Sequence, residues 1–176
     1  MKLEIKPDMC LEFALAKIVD GKQEQLFSEY FPNVGPLVAE YGGRNAGGVS
    51  VTGSNVAEEP EMGAMFLWPS AQAYHDFHKD ARFQKLKPVR DEAFSYFSNG
   101  HFFDAPAAEI ELDNERDYLI AITDADLPGI TPILDAALTS DSPNQSHAGR
   151  RLIIAEWNDA AEQVSAAVSV RARINN

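Results

Sequence analysis

A single cysteine in 176 residues, Cys10, leaves no internal disulfide to form, and nothing around it has the spacing of a metal cluster. Cationic residues are scarce as well. Fifteen Lys and Arg face 27 Asp and Glu, a formal net charge of −12, which repels polyphosphates, so no nucleic-acid partner is expected. Long apolar runs are missing too: the stretch from Gly63 to Trp68 falls far short of the roughly 20 residues that span a bilayer. No membrane association is expected. The opening residues Met1 to Asp8 lack an apolar targeting core, which points to a reducing, cytoplasmic setting. Asn144-Gln145-Ser146 then reads as an incidental polar triplet rather than a glycosylation site. Also absent are a GxSxG elbow, a Cys-His pair, HExxH, an EF-hand loop and a Walker loop, so nucleophilic hydrolysis, a metal centre and nucleotide binding are disfavoured.

What is present is enough apolar sequence, 45% of the chain, for one good core or one domain with a smaller appendage. From Cys10 to Val19 the chain is almost continuously apolar and closes on Asp20-Gly21, a strand ending in a turn. From Leu26 to Tyr41 the apolar positions recur at helical steps, interrupted by Pro32 and Pro36, which predicts a kinked or two-piece helix ended by Gly42-Gly43. Residues 45–54 alternate as a strand with a glycine-marked bulge, and Met62 to Trp68 reads as a central strand. Ser70 caps a helix carrying Ala73, Tyr74 and Phe77. A further helix is predicted from Pro88, with Phe94 and Phe97 facing inward, before a short strand at residues 101–105.

That order is an α+β, ferredoxin-like βαββαβ arrangement with helices on one sheet face, and it leaves the opposite face to be covered by a partner or by more chain. An acidic linker near residues 106–114 divides a ferredoxin-like domain, 1–106, from a C-terminal extension, 107–176. The extension reads as βαβα: strands at 118–123 and 151–156, helices at 130–138 and 158–168, and a polar, mobile loop at 139–149. Phe66-Leu67-Trp68-Pro69-Ser70 and Ala155-Glu156-Trp157-Asn158-Asp159 have similar strand-to-helix junctions, so the extension reads as a degenerate half-repeat.

Tyr41-Gly42-Gly43-Arg44, Pro69-Ser70 with Ala73 and Phe77, and the run from Phe83 to Arg90 together resemble the DUF1330 family of the dimeric α+β barrel superfamily, over residues 10–105. The resemblance implies a homodimer joined through its sheet faces. It implies no single chemistry, because the superfamily holds cofactor-free oxygenases, haem-degrading enzymes, isomerases and non-catalytic members.

Several side chains can carry a site. Arg44 offers a guanidinium to a carboxylate ligand, or a structural ion pair. His75 and His78 share a helix face without a third metal ligand, and either of them, or His101, can move a proton at neutral pH. Tyr41, Phe66, Trp68, Tyr74 and Phe102 furnish either a core or the lining of a slot for a small planar molecule. Lys79, Arg82, Lys85, Lys87 and Arg90 form the one basic island, suited to a small anion or to a solvated helix face. The first expectation is therefore a dimeric protein that binds a small apolar or anionic metabolite, without cofactor and without a catalytic constellation. The alternative is a cofactor-independent oxygenase or isomerase of a small aromatic or enolisable metabolite, with His75 or His101 as base and Arg44 as anchor, beside ligand contacts from Tyr41, Trp68, Tyr74 and Arg90. A third reading is a haem protein with His75, His78 or His101 as axial ligand.

Overall fold

A computed structural model of the chain describes residues 2–98, 100–140, 147 and 149–175. Strand β1 (Lys2–Ile5) precedes β2 (Cys10–Ile18), and a helical stretch follows as α1 (Gln23–Gln25), a π-helical turn (Leu26–Tyr30) and α2 (Phe31–Glu40). Next come β3 (Arg44–Ser54), β4 (Met62–Trp68), α3 (Ala71–Lys79), α4 (Ala81–Ala93), β5 (Phe94–Phe97) and β6 (His101–Asp104). The rest of the chain gives β7 (Ala108–Glu111), β8 (Tyr118–Thr123), β9 (Leu134–Ser140), β10 (Arg151–Glu156) and β11 (Val168–Asn175).

The sheet runs β4-β3-β11-β8-β10-β9-β6-β2, and β2 pairs back onto β4, so the ring closes into an antiparallel barrel. Strand β5 lies along the far end of β2, opposite Ala16 to Ile18, where β6 has ended. A separate antiparallel pair, β1 with β7, packs Leu3, Ile5 and Ile110 onto the barrel interior. Within residues 44–104 and the β2 strand, the second, third, first and fourth strands lie side by side (β3-β4-β2-β6). The second half repeats that order as β9-β10-β8-β11. The halves join at two seams, β3 with β11 and β6 with β9.

Alternation explains the layers. In β2, Leu11, Phe13 and Leu15 point into the barrel, where they meet Met65, Leu67, Phe103, Ile120, Ile154 and Val170, all buried, so the interior is a packed core. Cys10, Glu12 and Ala14 point outward. There the helices of the first half lay down Leu26, Tyr30, Leu37, Phe77 and Phe83 as a second core. The outer face of the second half buries Leu119 and Ala121 under Ala161, with Leu127, Ile130 and Trp157 beside them, and among the described residues no helical layer covers it. The sheet face expected to need cover is thus enclosed by residues of the same chain.

Several expectations need correction. Helix α4 starts at Ala81, where Asp80 Oδ1 accepts from Arg82 N at 2.7 Å, and Pro88 sits inside it rather than at its first turn. A strong aspartate cap outweighs the preference of proline for a first turn. Phe94 and Phe97 belong to strand β5, not to that helix. The extension is not βαβα. Residues 134–140 form β9, because Leu134 and Ala136 alternate into the barrel and fill the gap between β10 and β6. The predicted helix at 158–168 shrinks to one 3₁₀ turn, Ala161–Gln163, although Asn158 Oδ1 does cap it, accepting from Ala161 N at 3.1 Å. Its alanines offer too small an apolar face to sustain a short helix. Three local readings in the first half hold: Ser70 caps α3 at 3.2 Å, β3 bulges between Asn45 and Gly47, and Gly42 ends α2 at φ +76°. Of the 139–149 loop, residues 141–146 and 148 lie outside the described residues, as does the Asn144-Gln145-Ser146 triplet. Among the described residues, no helix is long and apolar enough to cross a membrane.

Candidate active site

The outward face of β2 places an acid under the helices. Glu12 is 7% exposed, opposite Phe66 of β4 and Phe102 of β6. A carboxylate there loses its water, so burial pushes its pKa up, and a hydrogen bond from Trp68 and the charge of Arg90 draw it part of the way back. The balance leaves it at about 7, where both protonation states are populated. Trp68 Nε1 donates to Glu12 Oε2 at 2.7 Å. On the other side Gly100, at φ +52°, brings backbone so close that a Cβ there would lie 2.6 Å from Oε1. Any side chain at residue 100 would displace the carboxyl group.

The cation of the site comes from α4. Arg90 is 4% exposed, its guanidinium 4.6 Å from the Phe97 ring and 5.9 Å from that of Phe83, and it donates to Asp91 Oδ1 at 2.7 Å. Two phenols and an imidazole complete the cluster. The π-helical turn swings Tyr30 inward, where burial raises its pKa to about 12 against the opposing pull of Arg90. Burial raises Tyr74 as well, with the Glu12 charge adding to it. His78 is driven the other way, down to about 4, by burial first and Arg90 second, so its imidazole is neutral at physiological pH. Its ring lies 4.1 Å from Tyr74 and 4.5 Å from Phe83, while Tyr74 stands 4.3 Å from Phe102 and 5.5 Å from Trp68. The result is an aromatic enclosure with one near-neutral carboxyl group and one buried guanidinium, a setting for proton transfer and for holding a negative charge.

The residues picked out from sequence divide between this enclosure and other places. Trp68, Tyr74 and Arg90 meet around Glu12. Tyr41 stands at the rim, packed on Phe77 at 6.0 Å and donating its phenol proton to Asp80 Oδ2 at 3.0 Å. His75 is exposed, its ring 5.6 Å from Tyr74 and 6.3 Å from Phe102. Arg44 lies on the other side of the sheet, donating to the backbone carbonyl of Glu4 in β1. His101 is buried opposite Phe13 on the barrel side of β6, with the His147 ring 5.1 Å away. Of the basic island, Arg82 is bound to Asp80 and Glu40, and Lys87 lies 3.9 Å from Asp91. Glu12 and Tyr30 were not singled out from sequence. The signal for Glu12 was there: it is the one acid in β2, whose other residues are apolar save Lys17. Burial of Cys10 pushes its thiol up to about 11, which leaves it unreactive. Among the described residues, no group of three or more His, Cys, Asp or Glu side chains is placed to hold a metal ion.

Two open clefts lie on the second half. One, of about 320 Å³, is lined by Asp117, Trp157, Arg171 and Arg173. The other, of about 360 Å³, is lined by Lys2, Glu111, Asp113 and Tyr118. Both are walled by paired charges.

No family model and no curated protein matches this sequence. Among solved structures, the chain is similar in fold to an anthrone oxidase-like protein, with 12% identity and a TM-score of 0.61 over 100% of this chain and 95% of that one. A provisionally named monooxygenase from Fusobacterium nucleatum subsp. nucleatum aligns with 98% of this chain and 94% of its own, at 8% identity and a TM-score of 0.49. The first likeness shows an α+β barrel shared at low identity.

Proposed function

We propose that this chain is a cofactor-independent oxygenase of a small, planar, enolisable aromatic ketone, with Glu12 as general base. The observation that carries the reading is the Glu12 carboxyl group, enclosed by aromatic rings and poised near neutrality beside the buried guanidinium of Arg90. The methylene of an anthrone lies across the central ring from its ketone and is conjugated to it through the flanking aryl rings, so it loses a proton to such a base, and the enolate oxygen that forms finds its counter-charge in Arg90. The electron-rich enolate then reduces dioxygen, forming a carbon–oxygen bond. The hydroperoxide loses the second methylene hydrogen and its terminal oxygen as water. The sum is one ketone and one O₂ giving one quinone and one H₂O. The name of the structural neighbour supplies the anthrone class of substrate. Neutral His78 and the Tyr30 and Tyr74 phenols, which keep their protons, are suited to hold polar edges of the ring system without competing as bases.

An aerobic assay with anthrone, following anthraquinone absorbance and oxygen uptake together, tests the reading. Turnover should fall at least about a hundredfold in Glu12→Gln, which keeps the shape and removes the base. Tight binding of anthrone without turnover by the wild type would sink the oxygenase and favour a ligand-binding protein on the same fold.

A further inference from the structure

The two halves of the barrel differ at the place where the first carries its site. Trp68 closes β4 opposite Cys10, and Glu12 follows two residues along β2. The second half has the same junction: Trp157 follows β10, and its amide bonds to the Asp117 carbonyl at 2.9 Å, continuing the register of Glu156 on Tyr118. Two residues along from Asp117 stands Leu119, fully buried and packed with Ala121 and Ala161. A leucine thus occupies the position of the base. Among the described residues, the helical layer that supplies Tyr30, Tyr74, His78 and Arg90 in the first half has no counterpart over it. At the position of Cys10 is Asp117, which accepts from Arg171 Nε at 2.7 Å and Arg173 Nε at 3.0 Å, both arginines on β11. The Arg171 guanidinium lies 5.0 Å from the Trp157 ring.

We infer that the barrel holds one active site rather than two, and that the second copy has become an ion-paired latch, Asp117 with Arg171 and Arg173, fastening β11 where it closes the seam with β3. The single-site half of this inference rests on the Glu12 reading. The latch half stands on geometry alone. Arg171 and Arg173 alternate with Val170, Ala172 and Ile174, so one face of β11 fills the barrel while the other is held to Asp117, the residue before β8.

The two tryptophans report on the two places separately. Anthrone titrated anaerobically should bind at one equivalent per chain by calorimetry, and its effect on tryptophan emission should be the same in Trp157→Phe as in the wild type. Two equivalents, or an emission change lost with Trp157, would overturn the single site. Asp117→Asn should bind anthrone as the wild type does and lower the thermal midpoint by about 3 °C or more, the response to roughly 1 kcal/mol in a chain of this size. An unchanged midpoint would overturn the latch. If anthrone binds to no form of the protein, the substrate reading and the site count fall together, and the Asp117→Asn midpoint still decides the latch.

Discussion

The indole Nε1 of Trp68 donates a 2.7 Å hydrogen bond to Oε2 of Glu12, across the pair formed by the first and third strands of the barrel. This bond favours the carboxylate over the acid, and it opposes the burial that favours the acid over the carboxylate. The protonation of Glu12 is therefore set by a neighbour that can be changed.

In the wild type, kcat/KM for anthrone should rise with pH through a midpoint near 7, as the base sheds its proton. Trp68→Phe removes the donor and should move that midpoint up by about 1 pH unit, the equivalent of roughly 1.4 kcal/mol. A pH–rate profile with an unmoved midpoint would show that another group titrates.

Stability should respond to pH in a compensated way. Glu12 is raised from 4.5 to about 7, so its contribution is full below 4.5 and is lost as pH rises through 7. His78 is lowered from 6.5 to about 4, so its contribution is full above 6.5 and is lost as pH falls through 4. Between 4.5 and 6.5 the folded chain holds its proton on the carboxyl group and the unfolded chain holds it on the imidazole, so the two slopes cancel. Glu12→Gln should therefore lose stability as pH falls across this window, and His78→Phe as pH rises. Urea midpoints measured at half-unit steps read both slopes, and parallel curves for all three proteins would refute the pairing.

Gly100→Ala tests the backbone side of the site. Its Cβ would stand 2.6 Å from Glu12 Oε1, and its φ of +52° strains any L side chain. The expected result is a fall of about tenfold or more in kcat, since misplacing a base by about 1 Å can cost up to a hundredfold, with circular dichroism unchanged. Wild-type turnover in this variant would mean that Glu12 has room to shift without consequence.

The solution mass should be that of one chain, 19.4 kDa, because the sheet face through which a second copy would join is already covered by β8, β9, β10 and β11 of the same chain. Sedimentation at micromolar concentration distinguishes this from the homodimer that the family resemblance suggests.

Much of the first half of the fold, the start of α4 and the strand β5 excepted, is legible in the sequence because its elements carry their own punctuation. Met62 to Trp68 is a central strand by composition, Ser70 is a cap, and Asp20-Gly21 and Gly42-Gly43 are stops. The second half is not, because its elements are decided by distant partners. Leu134 to Ser140 reads as helix or strand equally well until β10 and β6 are seen to need a strand between them. The site divides in the same way. Trp68, Tyr74 and Arg90 stand out as large or charged side chains in their segments. Glu12 gains its meaning only when helices from elsewhere in the chain close over it, and the sequence does not separate His78, half-buried against Tyr74 and Phe83, from His75, which stays exposed on the same helix.

The seam between β3 and β11 pairs Gly48 with Asn175 and Ser54 with Val170, residues more than a hundred positions apart. On the ribosome, β3 is complete long before its neighbour exists, so the nascent first half presents an open strand edge and the apolar row of Leu11, Phe13 and Leu15 to solvent or to a chaperone. Closure waits on β11, so a long loop must find its end, and it should be slower than the formation of any local element. A chain stopped at residue 112 should accordingly scatter light at concentrations where the full chain stays clear.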